Sequence, residues 1–119
     1  MIIKAIRSFR YAFKGIWLVF KNENNSKIHF IASLAVLGAA WYFNLNRKEC
    51  LGLCLAIALV WICEAFNTAI EKLVNLAHPG YSRQAGEIKD ISAGAVLIAA
   101  IFSIVTALVI FTPKIKLLF

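Results

Sequence analysis

Residues 51–70 read LGLCLAIALVWICEAFNTAI, and the fold turns on them. The run holds a single charged side chain, Glu64. A helix of about 20 apolar residues crosses the hydrocarbon core of a bilayer. Two similar runs flank it, residues 28–45 and residues 91–111. The chain has 119 residues, of which 61% are hydrophobic and 16% charged. One small soluble domain cannot hide that much apolar surface, because small domains bury only a modest fraction of their surface. The sequence therefore predicts an all-α membrane protein, a single domain over residues 1–119, with three transmembrane helices.

Ahead of these runs, residues 1–21 have helical periodicity. Ile2, Ile3, Ile6, Phe9, Phe13, Ile16, Trp17 and Phe20 share one face; Lys4, Arg7, Tyr11, Lys14 and Lys21 share the other, with Arg10 near its edge. A helix divided in this way suits the membrane interface, apolar side down and basic side toward phosphates. Met1 opens this amphipathic stretch rather than a cleavable leader. Orientation follows from lysine and arginine bias. Lys4, Arg7, Arg10, Lys14, Lys21, Lys27, Lys72, Arg83 and Lys89 fall on one side, and Arg47, Lys48, Lys114 and Lys116 on the other. This puts the N-terminus and the second connection, residues 72–90, in the cytoplasm, and the chain in a bacterial inner membrane as a multi-pass protein. The net charge of +7 then meets anionic headgroups. The long apolar runs argue against nucleic acid as a partner.

Six acidic residues make the chemistry easy to search. Glu49 sits in the short outer connection and Glu87 in the inner one. Glu23, Glu64, Glu71 and Asp90 fall where the cytoplasmic ends of the helices meet. A carboxylate inside an apolar span must face protein or water, so Glu64 is a functional candidate by default. Asn67 and Glu71 follow at three and seven residues, on the same helix face. Glu71 is ~10 Å below Glu64 at 1.5 Å per residue. The stripe runs from the cytoplasmic boundary into the apolar layer, where it could join a water-side cofactor to a lipid-side substrate. A polar seam that only glues helices is the bland alternative, chiefly for Asn67.

Other features carry less. Glu23, taken alone, is a helix-start acid favoured by the dipole, and Asp90 can be read the same way. Lys89 can be a snorkelling interface residue. Ala93-Gly94-Ala95 is a helix-packing run. Cys50, Cys54 and Cys63 form no disulfide or zinc framework, and His29 and His78 are isolated, without metal-ligand spacing. Neither a P-loop nor a G-x-G-x-x-G is present.

Glu64-Ala65-Phe66-Asn67-Thr68-Ala69-Ile70-Glu71, followed by Lys89-Asp90-Ile91-Ser92-Ala93-Gly94-Ala95-Val96-Leu97, resembles the bacterial diacylglycerol kinase family, which includes the undecaprenol kinases. Tyr11-Ala12-Phe13-Lys14-Gly15 and Asn22-Glu23 match in order, so the resemblance covers nearly the whole chain. It implies a homotrimer, with active sites between subunits at the cytoplasmic boundary, that uses ATP and magnesium to phosphorylate a membrane lipid alcohol. By resemblance Glu64 is the general base, and Glu23 and Glu71 hold magnesium. The nucleotide would meet Lys4, Tyr11, Glu23, Glu71, Gly80, Tyr81, Ser82, Lys89 and Asp90, and the lipid Lys4, Ile28, Glu64, Asn67 and Ala93. Ser82 stands where the family commonly has histidine, with Arg83 beside it as a possible compensation. Lys27-Ile28-His29 is closer to the undecaprenol-kinase branch, which makes undecaprenol the favoured lipid over diacylglycerol. The rival class is a non-enzymatic oligomeric channel or transporter subunit, with Glu64 as a protonatable intramembrane group; a purely structural assembly subunit is a third.

Overall fold

The computed structural model describes residues 1–22 and 24–119, and among them the chain is wholly α-helical apart from its connections. Four helices follow in order: α1 (Ile2–Asn22), α2 (Asn24–Tyr42), α3 (Arg47–Ala77) and α4 (Arg83–Lys116).

The helices end where local chemistry ends them. At the close of α2, Asn44 takes a left-handed φ of 52°, which asparagine tolerates better than most residues. The Leu45 N–H donates to the Ala40 carbonyl at 3.2 Å and the Asn44 N–H to that of Trp41 at 3.3 Å. These are the two closing bonds of a Schellman motif. The apolar run expected over residues 28–45 therefore stops being helix at Tyr42. Asn46 then opens α3 in a capping box: its side chain accepts from the Glu49 N–H, and Glu49 accepts from the Asn46 N–H.

The second connection is also shorter than the sequence led us to expect. α3 continues to Ala77, and Ser82 caps α4 by accepting from the Ala85 N–H at 3.1 Å. Glu71, Lys72, Glu87, Lys89 and Asp90 thus lie on helices, and only residues 78–82 form the turn. Pro79-Gly80 does break the helix, but Arg83 onward has no breaker and propagates from the cap.

α3 and α4 pack antiparallel along most of their length. Lys89 meets Asn75 at one end, and Lys114 meets Glu49 at the other. The inward face of α3 repeats at helical spacing through Leu53, Ala56, Val60, Glu64, Asn67 and Val74. Ala56 and Ala99 are both buried, so small side chains let the backbones approach. α2 lies antiparallel to α3, with His29 beside Glu64 and Ser33 beside Trp61. α1 is tied to the start of α2: the buried Ser26 hydroxyl donates to the Val19 carbonyl at 3.1 Å, and the Phe20 and Phe30 rings meet edge to face.

Much of the outer surface of α4 is apolar. Ile98 is 72% exposed, and Ile91, Leu108 and Val109 are also exposed. Such a surface is stable against hydrocarbon, not water. Among the described residues, α3 and α4 are long and apolar enough to cross a bilayer. α2 does not meet that measure. It opens on Asn24-Asn25-Ser26-Lys27, and its apolar part, residues 28–42, rises about 22 Å at 1.5 Å per residue, against a core of ~30 Å.

At the end opposite the turn, Glu49 is partly shielded and 3.2 Å from Lys114. The Asn46 N–H holds its carboxyl below the ordinary range; partial burial pulls the other way, and Lys114 adds a further lowering. A carboxyl lowered on folding contributes stability above its unfolded pKa, and that contribution is lost as pH falls through the folded value. The melting temperature of E49Q in detergent is expected to lie below that of the parent at pH 7. The gap should close as pH falls below the usual glutamate value of about 4.3. A gap that persists unchanged at pH 3 would count against the ionised cap.

Candidate functional site

The middle of α3 places Glu64 against α2, with its residue only 1% exposed. Oε1 lies 3.1 Å from His29 Nε2. The other oxygen, Oε2, is buried without a hydrogen-bond partner among the described residues, as are Asn67 Oδ1 and Ser92 Oγ. Buried polar atoms normally find partners. Each of the three is therefore an acceptor or hydroxyl that the described residues of one chain leave open. Thr68, also buried, is satisfied locally by donating to the Glu64 carbonyl at 3.0 Å.

A second site lies at the turn between α3 and α4. Asn75, His78, Pro79, Gly80, Tyr81, Ser82, Lys89 and Asp90 border a cleft of about 340 Å³. Lys89 Nζ donates to Asn75 Oδ1 at 2.6 Å, which holds the ammonium at the rim. The expected nucleotide residues Gly80, Tyr81, Ser82, Lys89 and Asp90 thus gather in one cleft. Ser82 spends its hydroxyl on the helix cap. Arg83 pairs with Glu87 on the open surface at 3.3 Å and does not border the cleft.

The remaining predicted residues are not joined to either group within one chain. Lys4, Tyr11, Ile28 and Ala93 are exposed, none borders the cleft, and none shares a hydrogen bond with Glu64. Glu71 is half-buried on the stripe below Glu64. Glu23 lies outside the described residues. Among the described residues no three His, Cys, Asp or Glu side chains form a metal cluster. Magnesium asks for less, since it is commonly held by one or two carboxylates plus substrate phosphates.

Two residues escaped the sequence reading. His29 looked isolated, and nothing in its spacing relates it to a residue 35 positions away. Its one signal was a titratable side chain at the head of an apolar run. Asn75, one turn beyond Glu71, carried no signal above its type.

The fold and site define an all-α membrane protein that encloses a carboxylate about three turns of α3 from a polar cleft. A family model for prokaryotic diacylglycerol kinase matches residues 10–111, and the chain belongs to that family of lipid kinases. A diacylglycerol kinase of Synechocystis is 39% identical over 99 residues, 82% of this chain and 57% of that relative. An undecaprenol kinase of Bacillus subtilis is 36% identical over 108 residues, 91% of this chain and 88% of the relative. A diacylglycerol kinase of Escherichia coli K12 is 29% identical over 103 residues, 87% and 84% respectively. The chain thus spans little more than half of the first relative's length and most of the other two.

Proposed function

We propose that this protein transfers the γ-phosphoryl group of ATP to the hydroxyl of a membrane lipid alcohol, undecaprenol in preference to diacylglycerol, at the cytoplasmic face. The observation that carries the reading is Glu64: a carboxylate buried within an apolar helix, with one oxygen held by His29 and the other open among the described residues. The family supplies the reaction class. The preference for undecaprenol rests on the Lys27-Ile28-His29 run, and the Bacillus relative is an undecaprenol kinase.

In this reading Glu64 Oε2 takes the proton of the lipid hydroxyl as its oxygen bonds to the γ-phosphorus. The bond from that phosphorus to the bridging oxygen breaks, and ADP leaves. Phosphoryl transfer needs positioning and neutralised phosphate charge more than covalent help. Lys89 would supply one positive charge at the phosphates from the rim of the cleft, and Tyr81 and Gly80 would border the base and ribose. Glu71 and Glu23 have the oxygen chemistry that magnesium prefers, and magnesium, when bound, neutralises phosphate charge. Lys4 and Tyr11, both free of the cleft in one chain, would reach the nucleotide of a neighbouring subunit. Ile28, Asn67 and Ala93 would meet the lipid. A homotrimer in the bacterial inner membrane, with an interfacial α1 and α2 as a third crossing, completes the proposal. Assembly with neighbours would offset the short apolar reach of α2.

The test is purified protein in lipid with γ-labelled ATP, supplied in parallel with undecaprenol and with diacylglycerol. Label is expected in both lipids, faster in undecaprenol. Proton or ion flux with no label in either would overturn the kinase reading in favour of a channel subunit.

A further inference from the structure

His29 and Glu64 sit on different helices, and a second pair of bonds fixes their relation. The Trp61 indole N–H donates to Ser33 Oγ at 3.3 Å, and that hydroxyl in turn donates to the His29 carbonyl at 2.7 Å. Trp61 and Glu64 are one turn apart on α3, and His29 and Ser33 one turn apart on α2. The two helices are therefore pinned twice: Trp61 to Ser33 to the His29 backbone, and the His29 side chain to Glu64. The His29 imidazole cannot slide along α3 without breaking the first pin.

The Glu64 side chain is 2% exposed and that of His29 22%. Among the described residues His29 is the one side chain bonded to the Glu64 carboxylate, and it takes Oε1 alone. A carboxylate held at one oxygen has lost the rotation that would exchange its two oxygens. The open Oε2 then has a fixed direction, and an oriented acceptor gains rate because the reacting atoms need not be brought into line at each turnover. His29 is remote from the nucleotide cleft and does not border it.

We propose that His29 is a positioning residue for phosphoryl transfer: its Nε2–H clamps Glu64 Oε1 and presents Oε2 to the lipid hydroxyl. This rests on the reading of Glu64 as proton acceptor. His29 touches neither nucleotide nor reacting phosphorus; it acts through Glu64. The consequence is a split in the kinetic constants. Loss of the clamp lowers kcat and leaves KM for ATP where it was, because the cleft is untouched.

Three variants in one assay test this, each first checked for melting temperature and elution in detergent. H29L keeps bulk and removes the donor. H29Q keeps an N–H donor of comparable reach. E64Q removes the acceptor itself. H29L is expected to lose about 10- to 100-fold in kcat, the scale of a misplaced catalytic group, at unchanged KM for ATP. H29Q is expected to recover most of that loss. H29L with the kcat of the parent would overturn the proposal. So would H29Q as impaired as H29L; if H29L folds poorly, H29Q is set against the parent and E64Q, and a folded H29Q as inactive as E64Q would overturn the proposal. The two readings fail separately. A fully active E64Q sinks the base assignment, whereas an inactive E64Q beside a normal H29L sinks only the clamp.

Discussion

Glu64→Gln is expected to abolish lipid phosphorylation while the protein folds and binds ATP as before. The amide has nearly the volume of the carboxylate, and its oxygen can still accept from His29 Nε2, now at 3.1 Å from Oε1. The fold keeps its packing, because nothing else on α3 depends on the charge. The amide cannot take a proton, and general-base catalysis is commonly worth about 10²- to 10⁴-fold. The measurement is transfer of γ-label from ATP to lipid, beside the thermal melting of parent and variant. A loss of this size in kcat with the melting temperature and nucleotide KM preserved is the signature of an interaction made in the transition state. Turnover near that of the parent would refute the role given to Glu64.

Glu71→Gln should fail differently. Glu71 lies seven residues beyond Glu64 on the same face of α3, half-buried at the watery end of the stripe. A carboxylate there can share a hard cation with nucleotide phosphates, as magnesium sites generally do. The amide offers one weaker, neutral oxygen. The concentration of magnesium needed for half-maximal activity is expected to rise by about tenfold or more, the scale at which even an outer partner matters to a metal site. Raising magnesium should restore part of the rate, which it cannot do for E64Q. An unchanged magnesium titration would remove Glu71 from the metal site. Together the two variants separate the proton role proposed for Glu64 from the metal role proposed for Glu71.

The wider pattern is economical. The stripe on α3 needs no loop to carry it: a straight helix rises from the aqueous boundary into hydrocarbon, so residues at a helical spacing sample different surroundings on one face. Glu64 is buried and Glu71 half-buried, two turns apart on that face. The five residues of the turn after α3 then set Lys89 and Asp90 back beside its end, where Asn75 takes the Lys89 ammonium.

What the sequence determined by itself was whatever depends on neighbours along the chain. Residues 51–70 and 91–111 announced apolar helices, because about twenty such residues match the thickness of a bilayer's hydrocarbon core. The basic and apolar faces of α1 followed from a period of 3.6, and the face shared by Glu64, Asn67 and Glu71 from the same period. Gly80, Tyr81, Ser82, Lys89 and Asp90 share one cleft for an equally local reason: they lie within a short span that a single turn folds together. The helix ends were less legible: Asn44 and Ser82 act through caps whose closing bonds depend on backbone geometry. Only the tertiary structure decided the partner of Glu64. His29 reaches it across the register of α2 on α3, and that register is set by packing and by the Trp61–Ser33 bond. Periodicity reports which way a residue faces on its own helix; it carries no information about which residue of another helix will stand opposite.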